Sequence, residues 1–360
     1  MTRGLLLDAA PEAIRPTPGT EAVALSAAAE YALARNEVPH LTLSDVSSEA
    51  SLAAAQDAYW EDQVVWMEVL ERYIGSASPG LAYGGVGPVG LAGYMVKALV
   101  DPVFVRAFES DALTSRGWTE IEHRMRPAGP RLLHEVLPAF CGSRGVTYTP
   151  VSATGPLADV SREPSATRRA LGSFVARGRF EALVRSRPAG FAGSERLTGL
   201  DLLLLSTYYD MAYLLQRNRE VGGRTVVVEG GEITEVGKGR SRRLGVIDPP
   251  SDHDRREWAG VADGLRHEPS LRAWPGSWFE GQAEDVVIDR LAYWCEHVMP
   301  EVVANIRGIS DLLARNKFDA IVAPYVAHPL EAGAFAGGAR RGGPVSVVVE
   351  HGDTAHAAPS

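Results

Sequence analysis

Phe318-Asp-Ala-Ile-Val-Ala-Pro324, His328-Pro-Leu-Glu331-Ala-Gly-Ala-Phe-Ala-Gly-Gly-Ala-Arg340-Arg-Gly-Gly343 and Val345-Ser-Val-Val-Val349 together decide the fold class. The first and third runs are short, apolar and rich in β-branched residues, as buried strands are. The run between them has proline at its start and glycine at its end, the asymmetry of a helix. Strand, helix and strand in one pass require a crossover, and a crossover makes the two strands parallel. Glu350-His351-Gly352-Asp353 then leaves the carboxyl end of the last strand, where open α/β sheets bind ligands.

The same rhythm recurs outward from this segment. Gly4–Asp8 reads as a strand, Thr20–Arg35 as a helix and His40–Asp45 as a strand. Ser51–Tyr73 is an amphipathic helix by the spacing of Tyr59, Trp66 and Leu70. Residues 91–140 read as helical, and Gly145–Thr149 as a strand. Leu200–Leu205 is a buried strand, Met211–Glu220 a helix stopped by Gly222-Gly223, and Thr225–Val228 the next strand. A long helix runs from Glu284 towards Lys317, with Pro300 bending or interrupting it. The pattern predicts one Rossmann-like α/β domain over residues 1–352: a doubly wound, mostly parallel sheet with a helical insertion at about 76–195. Residues 353–360 read as the start of a linker.

Composition narrows the classes. The chain has 360 residues, 45% hydrophobic and 22% charged, with a formal charge of −9, a balance that argues against general nucleic-acid binding. Of 36 basic residues only Lys97, Lys238 and Lys317 are lysines, which leaves 33 arginines. No apolar run is long enough for a membrane span, and Asp8 and Glu12 interrupt the start too early for a signal peptide. Cys141 and Cys295 form neither a disulfide framework nor a metal spacing. These features predict a reduced, cytoplasmic protein, without transmembrane segment.

The chemistry-bearing residues cluster at strand ends. His351 is followed by Gly352, which lets the backbone turn sharply and a ligand approach closely; a histidine there can serve as base or hold a phosphate. Asp353 is its neighbour. His328 precedes Pro329 at a helix start, where free N–H groups favour anions, and Glu331 lies on that helix. Ser206, Tyr208 and Asp210 leave the carboxyl end of the Leu200–Leu205 strand. Each residue also has a plain structural reading as a turn, cap or core-rim group.

Other patterns are weaker. Gly85-Val-Gly87-Pro-Val-Gly90 matches G-x-G-x-x-G, but a helix precedes it where a dinucleotide site needs a strand, so a loop or helix entry is the better reading. Glu350, His351, Asp353 and His356 are close in sequence, and Glu120 with His123 reads as a helical i, i+3 pair; neither matches a zinc spacing. Lys238-Gly-Arg-Ser-Arg-Arg243 reads as a solvated basic loop. No G-x-S-x-G elbow supports a serine nucleophile.

Ala29–Asp45, in its order of helix, strand and aspartate, resembles an early segment of bacterial surface-carbohydrate transferases. Phe318–His328 with Gly343–Gly352 resembles the end of the first Rossmann-like domain of GT-B transferases, including capsule-synthesis and CDP-glycerol glycerophosphotransferase-like enzymes. The resemblance implies the N-terminal half of a GT-B architecture, with a nucleotide-sugar or CDP-polyol donor held mainly by a further domain after Gly352. It implies a surface-glycan acceptor, peripheral membrane association, and no cofactor or metal. His351 is then the base or phosphate contact and His328 assists, with Gly352, Asp353, Glu331, Ser206, Tyr208 and Asp210 lining the substrate site. The alternative is a non-catalytic module that binds an acceptor or a subunit through Tyr59, Trp60, Trp66, Trp274, Trp278 and Trp294.

Overall fold

The computed structural model describes residues 2–8, 16–77, 87–125, 132–152, 199–205, 211–237, 241–323, 329–339 and 343–349. Where one sheet is expected, these residues build two. The chain divides into two compact units: residues 1–70, 97–161 and 264–292 form the first, and 71–96, 162–263 and 293–360 the second.

In the first unit, β1 (Arg3–Leu7), β2 (Thr20–Ala24), β3 (His40–Thr42), β4 (Glu120–Met125) and β5 (Thr147–Ser152) lie in the order β3-β2-β1-β4-β5. Every neighbouring pair among them is parallel. Three successive leucines explain the centre of this sheet. Leu6 packs with Val23, Ile121, Leu133 and Leu137 on one face, while Leu5 and Leu7 pack with Ala22, Ala24, Ala29 and Leu33 on the other. Helix α1 (Ala27–Arg35) covers one face and α5 (Leu132–Ser143) the other, so the sheet is doubly wound. Each fully buried leucine contributes about 1.5–3 kcal/mol. Gly4 is required by packing: a Cβ there would lie 2.5 Å from the Trp118 ring.

Thr20–Ala24 is a strand, not the opening turn of a helix. Ser26 starts α1 by accepting the Ala29 N–H, and the alanines before it fit a strand buried on both faces equally well. The short helix α2 (Leu43–Val46) replaces the end of the strand expected at His40–Asp45. Residues 120–125 and 147–152 are strands of this sheet, so the region expected as a helical insertion is only partly helical. Among the described residues its helices are the end of α3 (Glu49–Ala77), α4 (Pro88–Thr114) and α5. Among the described residues, α8 (Pro269–Gly276) and a 3-10 turn at Trp278–Gly281 bring Trp274 and Trp278 against Tyr59 and Phe104.

In the second unit, β6 (Asp201–Leu204), β7 (Arg224–Glu229), β8 (Glu232–Val236), β9 (Ser241–Val246), β10 (Ala320–Ala323) and β11 (Val345–Val348) lie in the order β11-β10-β6-β7-β8-β9. The first four in that order are mutually parallel; β8 and β9 are antiparallel additions. Gly230 and Gly231, both with positive φ, make the two-residue turn into β8. On one face Leu203, Val226 and Ile321 meet Ile309 and Leu312 of α10 (Met299–Arg315) and Ala334 of α11 (Pro329–Ala339); on the other, Leu202 and Val227 meet Leu215 of α6 (Met211–Glu220). Helix α11 lies against α10 through Gly333, where a Cβ would come within 2.8 Å of Asn305 Cβ.

Two expectations change here. The mostly apolar run Val345–Val349 suggests a central strand, yet among the described residues β11 is at the sheet edge and Val345 is 66% exposed. β-branched composition favours a strand without fixing its place in the sheet. The long helix breaks at Trp294–Val298, a π-turn between α9 (Glu284–Tyr293) and α10, immediately before Pro300.

Candidate functional site

Strand order locates the crevice of the first sheet. The chain moves from β1 outward through β2 and β3, then returns to β4 on the other side of β1 and goes on to β5. The order therefore reverses between β1 and β4, and ligands of doubly wound sheets bind at the carboxyl ends flanking such a reversal. Asp8 follows β1 at this point. Its N–H donates to the Arg124 carbonyl, 3.1 Å away, and its own carbonyl accepts from the Ser26 hydroxyl at 2.8 Å.

Strand β4 alternates between half-buried and buried residues, and His123 occupies a buried position between Ile121 and Met125. It is 2% exposed, so both ring nitrogens need partners. Nε2 lies 3.2 Å from Asp8 Oδ2, and Nδ1 lies 2.9 Å from the Tyr148 hydroxyl of β5. The same hydroxyl is 2.9 Å from Nδ1 of His134, whose ring stacks on Tyr148 from α5. The Asp8 side chain is 20% exposed, the accessible end of this row. Burial, reinforced by Cys141 and Asp8, pushes the Tyr148 phenol above its ordinary pKa, so it keeps its proton at neutral pH.

Of the residues expected from the sequence, only Glu331 is among those described. His351, Gly352, Asp353, His328, Ser206, Tyr208 and Asp210 fall outside the described residues, as do Glu350 and His356. The strands that precede them are present, adjacent and parallel: β6 beside β10 and β10 beside β11. The second sheet reverses its order between β6 and β10. Glu331, in the first turn of α11, is 4% exposed, and its Oε2 has no hydrogen-bond partner among the described residues. Burial pushes its carboxyl up to about 7.

Glu120 and His123 are not a helical pair. On β4 their side chains point to opposite faces, and Glu120 pairs with Arg3 at 3.1 Å. Among the described residues no group of three or more His, Cys, Asp or Glu could hold a metal ion. The described part of the glycine-rich segment, from Gly87, enters α4, and Glu71 of α3 caps that helix: its Oε2 accepts from Val89 and Gly90 N–H at 2.8 and 3.0 Å. The anion position of that helix start is thus filled by the protein's own carboxylate. Arg242 and Arg243 belong to β9 and pair with Glu235 and Glu232 across the hairpin. The aromatic residues considered for acceptor binding are mostly core: Tyr59, Trp66, Trp278 and Trp294 are buried, whereas Trp60 is 46% exposed.

Sequence reasoning missed Asp8, His134 and Tyr148 as site residues and placed His123 on a helix. A signal existed in Leu5-Leu-Leu-Asp8, an apolar strand ending on a carboxylate. A reading of residues 91–140 as helical leaves that carboxylate without a neighbouring strand.

The fold and site define an α/β protein with a parallel, Rossmann-like five-stranded sheet, a second mixed sheet, and a carboxylate–imidazole pair at the reversal point of the first. No family model, curated protein or solved structure shows a significant match to the chain.

Proposed function

We propose that the chain is a transferase that moves a glycosyl or polyol-phosphate unit from a nucleotide-activated donor to a hydroxyl of a surface-glycan precursor. The observation that supports it is the Asp8–His123 pair at the crevice of an all-parallel, doubly wound sheet. Transfer to a hydroxyl needs a base beside the attacking oxygen. Asp8 presents a partly exposed carboxylate there, and His123 holds it in one orientation from the buried side. The acceptor oxygen bonds to the transferred group, the bond to the nucleotide phosphate breaks, and Asp8 takes the hydroxyl proton.

Among the described residues no helix is long and apolar enough to cross a membrane. The test supplies UDP-sugars and CDP-polyols as donors with a glycan acceptor and measures released nucleotide. Asp8→Asn should depress release by roughly 10²-fold or more. Absence of release from every donor class by folded protein overturns the reading.

A further inference from the structure

We propose that the second unit holds a phosphate group at the reversal point of its sheet, between the Glu331 carboxyl and the first turn of α11. Topology places that turn. β10 feeds α11 in a parallel crossover, so the helix starts at the carboxyl ends of β6 and β10, where the strand order reverses. Ala334 packs in the core with Leu205 and Ala323, the residues at those two strand ends. Glu331 is three positions earlier on the same side of the helix, which puts it over the reversal point. Its carboxyl accepts its own backbone N–H and so lies at the amide end of α11. The residue is 4% exposed, and Oε2 has no hydrogen-bond partner among the described residues. Buried oxygens are normally hydrogen-bonded, and a ligand in this crevice supplies the missing partner.

The kind of ligand follows from the charges. Burial pushes the Glu331 carboxyl up to about 7, so below neutrality it is a neutral acid with one hydrogen to donate. Among the described residues the elements packed beside it bring no counter-charge: Asn305 and Ile306 of α10 meet Gly333, and Leu205 and Ala323 end the strands. Glu301, one turn before Asn305, is the titratable group on that side of α10, and it makes no part of the shift. Pro329 has no N–H, and the Glu331 N–H is taken by its own carboxyl. Leu330 is left with a first-turn N–H that has no intrahelical acceptor. Two donors and the positive end of the helix dipole meet there, which selects an anion and disfavours an amine or guanidinium. A phosphate group has several acceptor oxygens and can take the Glu331 O–H and the Leu330 N–H together. An ionised Glu331 repels it.

This site does not rest on the transferase reading, and its test measures binding instead of turnover, so either idea can fail without the other. Inorganic phosphate titrated into the 15N-labelled full chain at pH 6 should shift the Leu330 and Glu331 amides. Raising the pH to 8 should weaken wild-type binding about tenfold relative to Glu331→Gln, whose amide donates at both pH values. Comparing the two proteins at equal pH cancels the titration of phosphate itself. Glycerol 3-phosphate is the second probe: tighter binding than inorganic phosphate marks a phosphate ester as the ligand, and equal binding marks free phosphate. Leu330 and Glu331 amides unmoved at pH 6, with phosphate held only by arginines elsewhere, overturn the proposal. So does the same pH dependence in wild type and Glu331→Gln. Should Glu331→Gln not fold, the wild-type titration at pH 6 decides alone.

Discussion

Arg307 grips Asp254 with both arms of its guanidinium fork, Nη1 on Oδ1 at 2.9 Å and Nη2 on Oδ2 at 2.5 Å. Ser251 adds its N–H and hydroxyl to Oδ2 and so caps α7 (Asp252–Arg266). Burial opposes charge on this carboxylate, but the Arg307 and Ser251 hydrogen bonds outweigh it and hold Asp254 at about 2. A carboxyl depressed in the folded state stabilises above its unfolded pKa and loses that contribution as pH falls through the folded value. Wild-type protein should therefore lose stability relative to Asp254→Asn between about pH 4 and pH 2. At pH 7 the variant should be less stable by about 1–3 kcal/mol, measured by urea denaturation.

Glu331 should behave in the opposite sense. Its folded pKa is raised, so the native state is favoured below the unfolded pKa and loses ground as pH rises through about 7. Glu331→Gln should match wild type near pH 4 and exceed it by on the order of 2–3 kcal/mol at pH 8. Equal pH profiles for the two proteins would show that the carboxyl is not buried uncharged.

Gly333→Ala should destabilise by about 1–3 kcal/mol, because the new Cβ meets Asn305 Cβ and the Ile306 backbone nitrogen, neither of which can withdraw cheaply. Gly260→Ala is the contrasting case. It lies within α7 with nothing within 4 Å of a new Cβ, and it should stabilise by about 0.5–1 kcal/mol. Thermal unfolding of the two variants side by side checks both signs.

Glu71→Ala removes the acceptor for the Val89 and Gly90 N–H groups at the start of α4. Loss of such a cap costs about 0.5–2 kcal/mol. Hydrogen exchange should quicken first at these two amides.

Much of the second sheet was legible because its strands are apolar runs bounded by helix signals: β6, β7, β10 and β11 all fall where periodicity put them. The same runs could not reveal that β11 is an edge, since exposure depends on strands and helices far along the chain. β4 was illegible for a different reason. Glu120-Ile-Glu-His-Arg-Met125 alternates polar with apolar residues, but its polar positions carry good helix formers and its inward set includes a histidine. That histidine is the centre of the candidate site, so the misread strand and the missed site have one cause. Asp8 was visible only as the end of a short strand; its importance arises from strand order, which no local pattern encodes.

The interleaving of the two units has a consequence for synthesis on the ribosome. The first unit takes its last segment from residues 264–292, after the chain has already laid down most of the second. Trp274 and Trp278, which complete the packing around Tyr59 and Phe104, emerge more than 150 residues after those partners. Until then the nascent first unit carries an open aromatic face, and its native contacts close only across long loops, the slow and aggregation-exposed route to a folded state. Chaperone dependence should accordingly peak while residues 115–275 are being made, and fall once Trp278 clears the exit tunnel.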